Sequence, residues 1–128
     1  MPLPIITKFD NRAHFAELLT QNPGVFIVKF GAEWCGPCKL IENDVLQYFN
    51  QMPNNIQCAI IDVDDSVDVY AFLKSKKMIN GIPAILCYYK DNINYIPDDV
   101  VVGANKQQIG LFFKRCVDRA KSLPYVSE

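Results

Sequence analysis

The sequence has no excess of charge of either sign. Fourteen acidic residues against thirteen basic ones leave a formal net charge of −1. That removes the usual electrostatic case for a nucleic-acid partner or an acidic membrane surface. Long apolar runs are missing as well. A bilayer span takes about 18 to 20 consecutive apolar residues. The longest candidate, Ile79 to Tyr89, is interrupted by Gly81 and Pro83 and followed by Lys90. Met1-Pro2-Leu3-Pro4-Ile5-Ile6 has neither a basic start nor a long apolar core, so it does not read as a secretory signal. Internal repeats, low-complexity runs and linkers are absent too. The expectation is an intracellular, cytoplasmic protein with no membrane and no nucleic-acid partner.

What is there has the balance of a globular domain. Half of the 128 residues are hydrophobic and 21% are charged, enough apolar surface for a real core. The length fits one domain over 1–128 with a core of about 5–120, because two domains of about 64 residues would each be marginal. Five cysteines are an odd number, so a fully paired framework within one monomer is impossible. In a reducing compartment a close cysteine pair points to redox work or metal binding rather than a structural staple.

Strand-like and helix-like patterns alternate along the chain. Ile5 to Phe9 is a short strand candidate, and Asp10 or Asn11 can cap a helix carrying Phe15, Leu18 and Leu19. Asn22-Pro23-Gly24 ends it, and Val25 to Phe30 reads as a strand buried on both faces. A second helix starts near Cys35, with Ile41, Val45 and Phe49 four residues apart. Ile56 to Val63 is a strand, and Asp64-Asp65-Ser66 begins a helix with Val69, Phe72 and Leu73 on one face. Ala84 to Tyr89 and Tyr95 to Val102 form a hairpin about Lys90-Asp91-Asn92, with Pro97 marking an edge or a bulge. Asn105 caps the last helix, with Gln108 three residues on. Ile109, Phe112, Phe113, Cys116, Val117 and Ala120 make its apolar stripe. Together these predict an α/β domain with helices on both faces of a mixed sheet.

The chemistry sits in Gly31-Ala32-Glu33-Trp34-Cys35-Gly36-Pro37-Cys38-Lys39. This strand-to-helix junction places Cys35 at a helix N-terminus, where unpaired N–H groups and the positive end of the dipole favour a thiolate. Cys35 is therefore the candidate nucleophile. Cys38, about one turn on and more buried, suits the resolving role. Pro37 is tolerated in a first turn, where its missing N–H has no helical partner. The competing reading is half of a zinc site. Structural zinc usually takes a second close pair of Cys or His, whereas Cys58, Cys87 and Cys116 are scattered singly and His14 is the only histidine.

Trp34-Cys35-Gly36-Pro37-Cys38-Lys39 is identical to the active-site signature of the thioredoxin family, and more of the chain resembles that family. Gly81-Ile82-Pro83 looks like its cis-proline loop. Val102-Gly103-Ala104-Asn105-Lys106 resembles its last substrate-facing loop, and Asp62-Val63-Asp64-Asp65 a strand end of eukaryote-type thioredoxins. The resemblance implies a central mixed five-stranded sheet flanked by four helices. It implies a protein-disulfide reductase working through a reversible Cys35–Cys38 disulfide, with no bound cofactor and no metal. Pro83 would be the cis-proline. Trp34, Gly36, Pro37, Val63, Ile82, Pro83, Gly103 and Ala104 would form an apolar platform for docking disulfide-containing protein substrates, Ile82 offering backbone hydrogen bonds as an added strand would. Recycling would fall to a flavin- and NADPH-dependent thioredoxin reductase, and the protein would act as a monomer. Two alternatives stand beside this one: an isomerase- or oxidase-like member of the same fold, and a partner-binding scaffold with incidental redox chemistry.

The chain departs from the family pattern at one telling place. Most thioredoxins carry a buried aspartate six residues before the first cysteine, and here that position is Lys29. The facing position on the next strand, often basic, is Ile60. A lone buried lysine is unfavourable and tends to lose its proton. Glu42, four residues after Cys38, and Asp62 are the candidate partners. A charge-reversed Lys29–Glu42 pair, with Glu42 moving the Cys38 proton, stands against a Lys29 that merely snorkels to the strand edge. Asn43 replaces a common helix-kinking proline, so a straighter active-site helix is expected. Of two insertions of about four residues, one lengthens the third helix around Tyr70 to Lys77, and the other, between Lys90 and Val101, extends the hairpin and reads as loop growth, with a partner-specific contact as the alternative. Cys58, Cys87 and Cys116 read as small core residues, with an intermolecular disulfide as the alternative for one of them. His14 reads as solvated. Tyr88-Tyr89 fits a packed sheet, because no basic patch accompanies it.

Overall fold

The computed structural model describes residues 2–123. Four helices, α1 (Arg12–Thr20), α2 (Gly36–Asn50), α3 (Val67–Ser75) and α4 (Lys106–Lys121), alternate with four strands, β1 (Val25–Gly31), β2 (Ile56–Asp62), β3 (Ala84–Tyr89) and β4 (Asp99–Val102). The sheet order is β2-β1-β3-β4. β1 and β2 run parallel, from Val25 opposite Ile56 to Gly31 opposite Asp62. β3 is antiparallel to β1, and β4 to β3.

β1 is central, and all seven of its residues are buried, as its unbroken apolar run requires. Its alternate side chains feed two cores. Val25 and Ile27 pack with Ile41, Val45 and Phe49 of α2 and Ile109, Phe112 and Phe113 of α4. Phe26, Val28 and Phe30 pack with Phe15 and Leu19 of α1 and Val69 and Leu73 of α3. The layers are therefore helix, sheet, helix. Among the described residues no helix is long and apolar enough to cross a membrane.

Local signals set the helix starts. Asn11 and Asn105 cap α1 and α4, each side chain accepting from the N–H three residues on, His14 N at 2.8 Å and Gln108 N at 3.0 Å. α2 runs without a break through Asn43. α3 begins only at Val67, because Asp64 N–H bonds to the Asp62 side chain in a turn that keeps both aspartates outside the helix.

Three expectations need correction. The sheet has four strands among the described residues, not five. The segment from Ile5 to Phe9 contributes one parallel bridge, Ile6 to Ala59, made by Ile6 N to Cys58 O at 3.0 Å and Ile60 N to Ile6 O at 2.8 Å. Beyond it Phe9 turns into the α1–α3 core, its N–H held by Ser66 Oγ at 3.0 Å. β4 starts at Asp99 rather than Tyr95. Its predicted first half is tied down as a loop: Tyr88 Oη donates to Tyr95 O, and Asp98 Oδ2 accepts from Tyr89 N, both at 2.7 Å. β4 is nonetheless the sheet edge that Pro97 implied. His14 is half-buried rather than solvated. Its Nδ1 accepts from Asp10 N at 3.1 Å, and its ring meets Phe9 edge-on.

Candidate active site

The parallel strands β1 and β2 end together, and both lead into helices, so the site forms beyond their carboxyl ends. Cys35 is the N-cap of α2, with extended backbone at φ −91° and ψ 108°. Its sulfur accepts from Cys38 N at 3.2 Å, so the nucleophile candidate occupies the place where a helix receives negative charge. Pro37 lies in the first turn as expected. Cys35 and Cys38 are joined as a disulfide, with Cα atoms 5.3 Å apart. Both cysteines are largely covered, at 6% and 3% exposure. Only a partner that approaches along the surface reaches them.

The residues around the pair come from four places in the chain. The Ile82–Pro83 peptide is cis, and Ile82 O lies 3.9 Å from Cys35 Sγ. Gly103 N donates to Pro83 O at 2.9 Å, which joins the last loop to the proline loop. Gly103 has φ +93°, a region that favours glycine. Val63 N donates to Gly31 O at 2.9 Å and joins the end of β2 to the end of β1. Trp34 is 69% exposed beside the pair. Gly36 and Pro37 are exposed, and Ile82, Gly103 and Ala104 are half-buried. Val63 and Pro83 are buried, so they support the platform more than they cover it.

Two contributors escaped the sequence. Asp64 Oδ2 accepts from Trp34 Nε1 at 2.8 Å and ties the indole to the segment after β2. Gly31 lies between the two groups: a Cβ there would meet Cys38 Sγ at 3.5 Å and Lys29 Cε at 3.7 Å, ordinary contact distances. Neither pairing is legible from spacing, because Trp34 and Asp64 are thirty residues apart.

Behind Cys38 lies an open cavity of about 260 Å³. Lys29, Gly31, Cys38, Glu42 and Asp62 line it, with Thr7 and Asp65 at its rim. Lys29 is 5% exposed, yet no ion pair within 4.0 Å joins it to Glu42, Asp62 or any other described residue. Burial lowers its pKa from the ordinary 10.5, and the charge of Glu42 pushes it back up. Among the described residues no buried polar side-chain atom is left without a partner. The Lys29 ammonium therefore opens into the cavity, where water reaches it. Ile60 is half-buried against the α2–α4 core.

The other cysteines lie apart from this site. Cys58, Cys87 and Cys116 are free and buried in the α2–α4 core. Burial pushes the Cys58 thiol up to about 12. A hydrogen bond to Cys116, with burial, raises Cys87 further. Among the described residues no three His, Cys, Asp or Glu side chains are grouped to hold a metal.

Comparison with known proteins agrees with this arrangement. The thioredoxin family model matches residues 6–115. Thioredoxin 3 of Plasmodium falciparum is 32% identical over 80% of this chain, and the match spans 53% of that protein. A thioredoxin of Coprinus comatus is 34% identical over 68% of this chain and 76% of its own length. The chain thus spans about half of the Plasmodium relative, and only 19% of a protein disulfide-isomerase like protein of Arabidopsis thaliana that is 28% identical. Among solved structures, Fasciola hepatica thioredoxin superposes with a TM-score of 0.69 at 22% identity, covering 88% of this chain and 99% of that one. Oxidised mitochondrial thioredoxin 3 of Saccharomyces cerevisiae gives 0.68 at 25% identity, covering 86% and 94%. With a disulfide at the N-cap of α2, a cis-proline loop against it and a family match across most of its length, the chain belongs to the thioredoxin family.

Proposed function

We propose that this chain is a thiol–disulfide oxidoreductase that reduces disulfides in partner proteins. The observation that carries this reading is Cys35 at the N-cap of α2, bonded to Cys38 one turn on. In the dithiol form the helix N-terminus favours the Cys35 thiolate, which attacks a substrate disulfide and forms a mixed disulfide. Cys38 then attacks the Cys35 sulfur and frees the reduced substrate. Trp34, Gly36, Pro37, Ile82, Gly103 and Ala104, backed by Val63 and Pro83, are the docking surface. Ile82 and Pro83 present backbone to an extended substrate segment. Lys29 and Glu42 line the cavity behind Cys38 without forming an ion pair, and together they set the charge around its thiol.

In this reading the chain carries electrons from a flavin- and NADPH-dependent reductase to disulfide-containing proteins, as a cytoplasmic monomer. Three free buried thiols support a reducing compartment. The test is reduction of a generic disulfide protein with dithiothreitol as donor, together with trapping of mixed disulfides by Cys38→Ser. No turnover would defeat the reading, and trapped species would identify the substrates. The likeness to the plant isomerase-like protein favours one second reading, an isomerase-type role. A reduction potential well above about −270 mV, the thioredoxin value, would select it.

A further inference from the structure

Lys29 and Cys38 both lie beside Gly31 and line one cavity. β1 alternates its side chains, so Lys29 shares the sheet face of Val25 and Ile27, the face covered by α2. One point, the Cβ position that Gly31 lacks, lies 3.5 Å from Cys38 Sγ and 3.7 Å from Lys29 Cε. Both side chains open into the same cavity.

We propose that Lys29 is the counter-charge of the resolving cysteine: its ammonium, in the cavity behind Cys38, stabilises the thiolate that breaks the mixed disulfide. This rests on the oxidoreductase reading and assigns the two charged groups of the cavity different roles. Lys29 supplies the field, and Glu42 opposes it.

The charges around Cys38 decide which sign prevails. On its own helix, Lys39 is exposed and pairs with Glu33 of the preceding loop at 3.8 Å. Glu42, on the same helix, is exposed, as is Asp65 after β2, and Asp62 at the end of β2 is half-buried. Water screens these groups. Lys29, on β1, is the one charged group here that is buried, at 5% exposure. β3, on its other side, places Ile85 opposite it and brings no charge. The Lys29 side chain is the most covered of these and opens into the cavity that Cys38 lines, so Lys29 is screened less than the exposed groups and sets the local sign. Burial lowers its pKa from 10.5, and the charge of Glu42 opposes that lowering.

The chemistry balances without any change in Lys29. Cys35 thiolate attacks R–S–S–R′, forms Cys35–S–S–R and expels R′S⁻. Cys38 releases its proton through the cavity to water. Its thiolate attacks Cys35 Sγ, forms the Cys35–Cys38 bond and expels RS⁻. Two electrons pass from the dithiol to the substrate disulfide, and each released thiolate takes a proton from water. Lys29 keeps its proton throughout and acts only on the energy of the Cys38 thiolate. It is a positioning residue for charge.

The test uses the reduced full chain and an aromatic disulfide, dithiobis(nitrobenzoate), in stopped flow. Attack by Cys35 releases one coloured thiolate, and resolution by Cys38 releases the second. In Lys29→Met the ratio of second-phase to first-phase rate should fall about tenfold at neutral pH. The pH midpoint of the second phase should rise by about one unit, the equivalent shift. Lys29→Arg should restore the second phase to within about threefold. Glu42→Gln should speed it about two- to threefold by removing an opposing charge. A merely structural role would slow the second phase equally at every pH. That outcome, an unchanged second phase in Lys29→Met, or a slower one in Glu42→Gln, would overturn the proposal. Loss of the second phase in the native chain would instead defeat the oxidoreductase reading itself.

Discussion

Replacing Lys29 by methionine should make the protein more stable at neutral pH. Lys29 is 5% exposed and has no ion pair within 4.0 Å among the described residues. Burial pulls its pKa below 10.5, with Glu42 opposing. Exchanging a buried charge for an apolar side chain of similar volume is often neutral or stabilising by about 1–4 kcal/mol. The ammonium opens into a cavity that water reaches, so the expected gain is at the low end, about 1 kcal/mol. In a chain of this length that raises Tm by about 3–5 °C.

The pH dependence carries the sign. The native pKa lies below the unfolded one, so between the two the unfolded chain binds more protons and native stability rises with pH. The burial penalty is full below the native pKa and fades as pH approaches 10.5. The advantage of Lys29→Met therefore narrows as pH rises toward 10.5. Urea denaturation of both oxidised proteins, at about pH 7 and about pH 10, measures that difference, and groups common to both cancel. A less stable variant at neutral pH, or a gap that widens with pH, would refute the reasoning and place Lys29 in a favourable pair. Higher stability together with slower resolution would make Lys29 a residue retained for function at the expense of stability.

Phe112 is fully buried between α4 and the sheet, so Phe112→Ala should cost about 3–5 kcal/mol, read as a lower urea midpoint at unchanged slope. Asp64→Ala frees the Trp34 indole. It should raise KM for protein disulfides a few-fold and change Trp34 emission, while stability moves by less than about 1 kcal/mol because the bond is exposed; an unchanged KM would deny Asp64 a part in docking. Cys58 is held neutral to about pH 12 against 9.0 in the open chain, so its contribution to stability is whole below pH 9 and is lost from there to pH 12. Cys58→Ala should flatten that alkaline fall by about 1.4 kcal/mol per pH unit, and an equally steep fall in the variant would count against it.

Much of the site was legible because its determinants are local. Cys35, Gly36, Pro37 and Cys38 announce a helix start by their own spacing, and the helix end supplies the field that selects the nucleophile. Asn105 and the stripe from Ile109 to Ala120 mark α4 for the same reason. Elements with few local determinants were misread. Ile5 to Phe9 reads as a short strand, but it gives only one bridge to β2, and Phe9 enters the α1–α3 core. Tyr95 to Asp98 has strand-like composition, yet side-chain bonds to Tyr88 and Tyr89 hold it as a loop. His14 looked solvated because its contact with Phe9 depends on how the chain enters α1.

By itself, the sequence determined the reactive pair, the order of helices and strands, and the oddity of a lysine at position 29. These depend on neighbours within a turn or two, whose energetics are written in adjacent residues. Only the tertiary structure decided what Lys29 means. Its burial, its place beside Gly31 and Cys38, and the cavity it shares with Glu42 come from β1, α2 and β2 packing together. A charge takes its energy from the dielectric and the charges around it, and residues far apart in the chain supply both.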